Sequence, residues 1–340
     1  MKEIAVEQAV GTVLAHDLTQ IIPGEYKGAK FKKGHVIREE DIEILLSMGK
    51  KHLYVVEKDD TDVHENEAAL RIARKAAGEG IRLTEPSEGK IELIAEKRGL
   101  LKVDEELLID LIDQDEIMFA CIHENIVVEP GQKLAGTRVI PLFVEEAVVK
   151  QAEGVLDRRT LIRIEPLHSL KIGVVTTGSE VYSGKIKDAF GPVLVKKFGE
   201  LGSTVVKQLF ADDDEEMIAD CIRQLIDMGV DMIGVTGGMS VDPDDKTPSG
   251  IRKAGGYIVT YGAPVLPGAM FMLSYIDDIP VVGLPGCVMY SRTSVFDLIV
   301  PRLLAGEVIT RRDIKKLGHG GLCLNCEECV YPNCGFGKGM

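Results

Sequence analysis

Three short segments of this 340-residue chain carry residue types and spacings that suit chemistry. The first is Thr236–Asp245, TGGMSVDPDD. Gly237 and Gly238 let backbone amides approach a ligand with no side chain in the way. Asp242, Asp244 and Asp245 follow closely, and such carboxylates repel an amide-held phosphate unless a divalent cation bridges them. Mg²⁺ suits that task, needing one or two carboxylates with phosphate oxygens and water completing its shell. The same composition describes a plain loop whose aspartates cap a helix beginning near Pro248. The second segment is TTGSE at 176–180, where Gly178 and its neighbouring hydroxyls either cradle an anion or form a turn. Asp188, in SGKIKDAFG, is suited to act as acid, base, cation ligand or helix cap. The third segment is CLNCEECVYPNC, which gathers Cys323, Cys326, Cys329 and Cys334 while three cysteines occur elsewhere. Thiolates spaced C-x₂-C-x₂-C-x₄-C can converge on one ion or cluster and order a tail otherwise expected to be loose. The first three follow ferredoxin-like spacing, but the last gap is one residue longer and Pro332 precedes the fourth cysteine. Four thiolates equally make a closed zinc site, with His319 as an outside candidate. The alternative is four unliganded cysteines, which leaves reactive thiols exposed.

The elements that must position these residues become regular from about residue 170. KIGVV (171–175) is a short apolar strand leading into TTGSE, and 192–201 is helical. A second strand at 204–210 precedes the acidic run 212–216, read as a helix N-terminus rather than a cation site because carboxylates there cap amides and meet the positive end of the dipole. That helix places Met217, Ile218, Cys221, Ile222, Leu225 and Ile226 on one face. A third strand at 232–235 ends in TGG. Such alternation predicts a mostly parallel sheet covered on both faces, a three-layer α/β domain. Ligands of such folds gather at the carboxyl ends of the strands, where both glycine segments lie.

Ahead of it, residues 1–57 read as a β-rich module and 58–165 as an α+β region. In the module, GTVLAHDLTQII has strand character, a helix is expected at 39–48 and HLYVV is a strand. The basic stretch 27–33 reads as a solvated loop. In the second region, strand, helix and strand are expected at 90–97, 104–113 and 116–128, then a strand at 137–142 and a helix at 144–152. The boundaries are therefore 1–57, 58–165, 166–310 and a Cys-rich tail at 311–340.

Composition bounds the function. The net charge of −14 argues against a nucleic-acid binder, which needs a basic footprint. Residues 254–276 have no charged side chain, but their glycines and prolines predict buried strands separated by turns rather than a membrane span. The N-terminus has no signal-type apolar core, and the odd cysteine count suits a reducing compartment, so a soluble cytoplasmic protein is expected.

The order strand–TGSE, SGKIKD before a helix, strand–TGG-x-S and then DDKTP resembles the molybdopterin-binding domain shared by molybdopterin adenylyltransferases and molybdenumtransferases. PVLPGAM (264–270), read as a hairpin, and PVVGLPG (280–286), followed by a helix ending near 301–304, resemble the closing part of the molybdenumtransferases. Residues 28–56 resemble a stretch that family carries ahead of its cofactor-binding domain. The chain departs from the pattern in lacking a D-G-Y-A segment and the lysine of a PGKP-type turn (Ala269 and Met270 follow Pro267–Gly268). Cys287 and Val288 stand where an LPGNP-type loop has asparagine and proline.

The resemblance implies catalytic roles for Asp245 and Asp188. It implies ligand-cradling roles for Thr177, Gly178, Ser179, Glu180, Gly237, Gly238, Met239 and Ser240, with Pro285 and Gly286 in the closing loop. Asp242 and Asp245 would hold Mg²⁺. The activity implied is molybdate insertion into adenylated molybdopterin with release of AMP, by a homodimer. A protein that holds molybdopterin for a molybdenum-enzyme partner without catalysis is the alternative. GSEVYSGKIKD with DDKT also resembles the related domain of competence-damage proteins, which act on nucleotides.

Overall fold

The computed structural model describes residues 2–22, 26–56, 62–239, 242 and 245–339. The chain divides into two compact units. The first comprises Met1–Lys97, Lys102–Ile122 and Glu129–Ile164, and the second Arg98–Leu101, His123–Val128 and Glu165–Met340. Among the described residues no helix is long and apolar enough to cross a membrane.

In the first unit, strand His52–Val56 lies between Lys2–Ala5 and Val13–Leu14, antiparallel to both. Leu14, Leu18, Phe31, Ile37, Leu45 and Leu53 form the core beneath. GTVLAHDLTQII, which has strand character, holds two strands, Val13–Leu14 and Leu18–Ile22. They part beside Asp17, whose carboxylate accepts the Lys33 amide at 2.6 Å. The basic stretch is not a solvated loop throughout. Its first part lies in strand Tyr26–Phe31, which pairs with Leu18–Ile22, and the Lys33 ammonium pairs with the buried Glu65 carboxylate. A four-stranded antiparallel sheet follows in the order Ile117–Cys121, Lys133–Val139, Lys90–Ala95, Ile81–Leu83. Helices Glu65–Ala76 and Glu146–Leu156 are tied by Arg71, whose guanidinium reaches Glu146 at 2.8 Å and Glu153 at 2.7 Å. Those two carboxylates are two helical turns apart and so share one face, which the guanidinium fork can bridge.

The second unit is built on a six-stranded mixed sheet. Its elements in chain order are β1 (Lys171–Thr177), α1 (Phe190–Glu200), β2 (Thr204–Ala211), α2 (Glu215–Asp227), β3 (Met232–Thr236), α3 (Thr247–Lys253), β4 (Tyr257–Tyr261), β5 (Met272–Ile276), β6 (Ile279–Leu284) and α4 (Val295–Leu304). The strand order is β2-β1-β3-β6-β5-β4. The first four are mutually parallel, and β5 and β4 continue antiparallel. Two-residue periodicity divides the side chains of β1 between two cores. Ile172 and Val174 pack with Leu194 and Phe198 of α1 and Phe296 and Ile299 of α4. Val175 packs with Ile218, Ile222 and Leu225 of α2 and Ile251 of α3.

The expected helix after the acidic run is α2. Asp214 accepts the Met217 amide at 2.8 Å, a side-chain cap of the kind that satisfies an orphan donor. Of its expected apolar face, Ile218, Ile222 and Leu225 are fully buried, while Met217, Cys221 and Ile226 pack at the margin. The segment 264–270 is the loop of the hairpin formed by antiparallel β4 and β5, and from it Leu266 bridges out to Leu322. Its glycine is required there, because a Cβ on Gly268 would lie 2.5 Å from the Val295 side chain.

Candidate functional site

Three parallel strands deliver their carboxyl ends side by side. Thr176 of β1 pairs with Thr236 of β3, and Thr236 pairs with Leu284 of β6. Each strand then opens into a loop, and these loops with the approach to α1 enclose a cavity of about 520 Å³. That size lies within the ~300–1,000 Å³ usual for small-molecule sites.

The floor is a set of hydroxyl contacts between loops. Thr247 donates to the Gly237 carbonyl at 2.9 Å, and its oxygen lies 3.1 Å from the Thr177 hydroxyl. Gly237 and Gly238 have φ of +85° and +52°, which glycine adopts without penalty. The approach is close as well as left-handed. A Cβ on Gly237 would lie 2.4 Å from the Thr177 carbonyl oxygen, and one on Gly238 would lie 2.9 Å from Thr247 Oγ1. Gln208 of β2 joins the neighbouring side, its amide 2.8 Å from Thr176 Oγ1 and 2.7 Å from the Asp188 carboxylate.

Of the residues singled out in the sequence, Thr177, Asp188, Gly237, Gly238, Met239, Asp245, Pro285 and Gly286 line this cavity. Asp188 does so while holding the start of α1. Its carboxylate accepts the amides of Phe190 at 2.9 Å and Gly191 at 3.1 Å. Asp245 accepts the Asp242 amide at 2.9 Å. Met239 is 5% exposed and packs against Gly283, so its side chain is wall, while the Tyr261 hydroxyl fixes its carbonyl at 3.0 Å. Burial pushes the Tyr261 phenol up, and the nearby Asp245 carboxylate adds to that.

Gly178, Ser179 and Glu180 do not line the cavity. The Ser179 amide and hydroxyl point to the acidic run, donating to Asp213 at 2.9 Å and to Asp212 at 2.5 Å. That hydroxyl holds the Asp212 carboxyl below the usual carboxylate range. Asp242 is exposed and also lies off the cavity wall. Ser240 and Asp244 lie outside the described residues.

Lys187 and Tyr290 line the cavity although neither stands out in the sequence. Lys187 supplies a positive charge at the cavity wall. Its sequence signal is the SGKIKD run, in which it directly precedes Asp188. Phe190, Met270, Leu284 and Met289 supply apolar wall. Among the described residues no three His, Cys, Asp or Glu side chains gather as a metal-binding group. Asp245 offers one carboxylate at the cavity, which suits a cation whose remaining ligands come from phosphate and water.

At the closing loop, Val288 is buried in the core of the unit, and burial pushes the Cys287 thiol up. A thiol so placed stays protonated near neutrality and is a weak nucleophile.

The chain is similar to known proteins over part of its length. A CinA-like protein of Syntrophus aciditrophicus is 33% identical over 87 residues, 26% of this chain and 20% of the relative. One from Mycobacterium avium is 37% identical over 79 residues, 23% of this chain and 18% of the relative. The chain thus spans about a fifth of the length of these curated relatives. Among solved structures, the molybdopterin biosynthesis enzyme MoaB from Thermus thermophilus is 18% identical with a TM-score of 0.34, covering 41% of this chain and 98% of that one. CinA from Thermoplasma acidophilum is 17% identical with a TM-score of 0.30, covering 35% and 89%. Residues 3–57 match a family model described as a domain of unknown function. The segment that builds β1 to α4, both glycine loops and the cavity, residues 173–305, matches the family described as the probable molybdopterin binding domain.

Proposed function

We propose that the second unit binds molybdopterin in its adenylated form in the 520 Å³ cavity, and that the protein uses it for molybdate insertion with release of AMP. One observation carries this reading. Two loop glycines, a lysine, an aspartate and apolar residues line one cavity at the carboxyl ends of parallel strands, inside the segment similar to a molybdopterin-binding domain. The apolar side chains suit a flat heterocycle. Gly237, Gly238 and Lys187 suit phosphate, and Asp245 suits a Mg²⁺ ion shared with it. Insertion requires breaking the phosphoanhydride: a water oxygen bonds to phosphorus, AMP leaves with its own phosphate, and the water's proton passes to solvent. Amides aimed at the phosphate would stabilise the charge that develops there.

A second reading, in which the protein holds the cofactor for a molybdenum enzyme without catalysis, is favoured by Asp188. Its carboxylate is engaged by two backbone amides and by Gln208, the pattern of a structural cap. Full-length protein supplied with adenylated molybdopterin, molybdate and Mg²⁺ separates the two. Insertion predicts AMP release that Asp245→Asn abolishes while pterin binding persists. Binding without AMP release favours the holding role. Preference for a plain nucleotide over the pterin would overturn both.

A further inference from the structure

We propose that the four tail cysteines hold an iron–sulfur cluster in a second cavity of the same unit. This inference is independent of the ligand assigned to the first cavity.

The tail is not loose. Leu322 bridges Leu266, with the Leu266 amide donating to Gly321 at 2.7 Å and the Cys323 amide to Leu266 at 2.8 Å. Tyr331 donates its hydroxyl to the Asp297 carbonyl at 3.1 Å. Phe336 is 4% exposed and joins the core that contains Phe198 and Phe296. Between these fixed points the backbone has almost no regular structure, and Cys326 and Cys329 are exposed. The chain is therefore pinned on either side of a cysteine-bearing loop that its own apolar contacts do not fill.

Cys323, Cys326, Cys329 and Cys334 all line one cavity of about 490 Å³. None of the four is in a disulfide. All four border this space, Cys323 and Cys334 against the apolar core and Cys326 and Cys329 towards solvent, and no three His, Cys, Asp or Glu side chains among the described residues gather as a ready-made metal-binding group. A single zinc ion would need all four sulfurs drawn to ~2.3 Å from one centre. A cluster of iron and sulfide is several ångströms across and takes its thiolates from around its periphery, which suits thiols on the wall of a cavity this size. Two neighbours suit it as well. Arg292 lines the cavity, its guanidinium donating to the Glu327 carbonyl at 3.3 Å, and brings positive charge to an anionic four-thiolate site. The Thr293 hydroxyl lies 3.3 Å from Cys329 Sγ, within reach of donating to a ligating sulfur, a contact that tunes such clusters. Tyr290 lines both cavities, so the cluster would stand one side chain from the occupant of the first.

The test is anaerobic preparation of the full chain from cells supplied with iron, followed by metal and sulfide analysis and a visible spectrum. The expected result is a brown protein with broad thiolate-to-iron absorption and equal amounts of iron and acid-labile sulfide. Cys326→Ser should abolish the absorption, while Cys221→Ser, outside the tail, should leave it intact. If Cys326→Ser fails to fold, alkylation of the wild type replaces it. The four tail thiols should be protected as isolated and become reactive after an iron chelator strips the cluster. One colourless zinc per chain, absence of metal from the anaerobic preparation, or absorption that survives Cys326→Ser would overturn the assignment. None of these readouts depends on pterin, so failure here and failure at the first cavity are separately visible.

Discussion

Thr177 and Thr247 meet through their hydroxyls at 3.1 Å beneath the glycine pair, from positions 70 residues apart in sequence. Thr247 gives its proton to the Gly237 carbonyl, so Thr177 is the donor in the pair. The end of β1 and the start of α3 are thereby tied to the backbone that would cradle a phosphate. Thr247→Val keeps the shape and removes both bonds, leaving the Gly237 carbonyl and the Thr177 hydroxyl buried without them. A loss of about 1–3 kcal/mol in stability is expected, measured by urea unfolding, together with weaker ligand binding. Unchanged stability and binding would show that this tie holds nothing in place.

The two glycine positions of the site should respond differently. Gly237→Ala faces both a φ of +85° and a Cβ 2.4 Å from the Thr177 carbonyl oxygen, so it should destabilise the unit and abolish binding. Gly286 has φ −54° and nothing within 4 Å of a built Cβ. Gly286→Ala should therefore keep full stability and alter ligand affinity alone. Thermal unfolding of the two variants beside ligand titration checks the contrast, and equal destabilisation would refute it.

Lys187 is exposed at the cavity wall, so its attraction for a phosphate should be screened by salt. Lys187→Met should weaken binding of a phosphorylated ligand several-fold at low salt and flatten the dependence of affinity on ionic strength. A variant with the wild-type salt profile would place the phosphate elsewhere.

How much of this was legible depends on how local each signal is. β1 is visible because Ile172–Val175 are apolar in succession, as a strand buried on both faces requires. α2 is visible because Asp214 caps it and Ile218, Ile222 and Leu225 recur at helical spacing. The glycine pair at 237–238 is visible because it follows a buried strand directly. Ser179 was not, since its partners Asp212 and Asp213 arrive from another strand's end, and no spacing within TTGSE reveals which way the hydroxyl turns. Lys187 and Tyr290 were equally hidden, because a lone lysine or tyrosine in a loop looks like any solvated side chain until the strand ends are brought together. The fate of the tail rests on Phe336, one aromatic among glycines, whose burial depends wholly on long-range packing.

That burial sets what tail removal should do. In the structure, Ile314 and Phe336 belong to the core shared with α1 and α4. Phe336→Ala should cost about 3–5 kcal/mol, and truncation before Arg311 should cost at least as much and impair binding through loss of the fold. Chemical denaturation of the full chain and both variants measures this. A truncated protein of undiminished stability would mean the tail does not contribute to that core.

The proposed function requires that molybdopterin occupy the cavity lined by Gly237, Asp245 and Gly286. Its most direct measurement is the pterin content of the full chain purified from a molybdenum-replete host, read by fluorescence after oxidation, for the wild type and for Gly286→Phe. Gly286 has an ordinary helical φ, a Cβ there meets nothing within 4 Å, and the residue lines the cavity, so the fold should survive the phenylalanine and its ring should compete with a ligand for that space. Pterin should be retained by the wild type and lost from the variant, with equal thermal stability once both are free of pterin. No pterin in the wild type, or pterin retained undiminished when the cavity is filled, would contradict it.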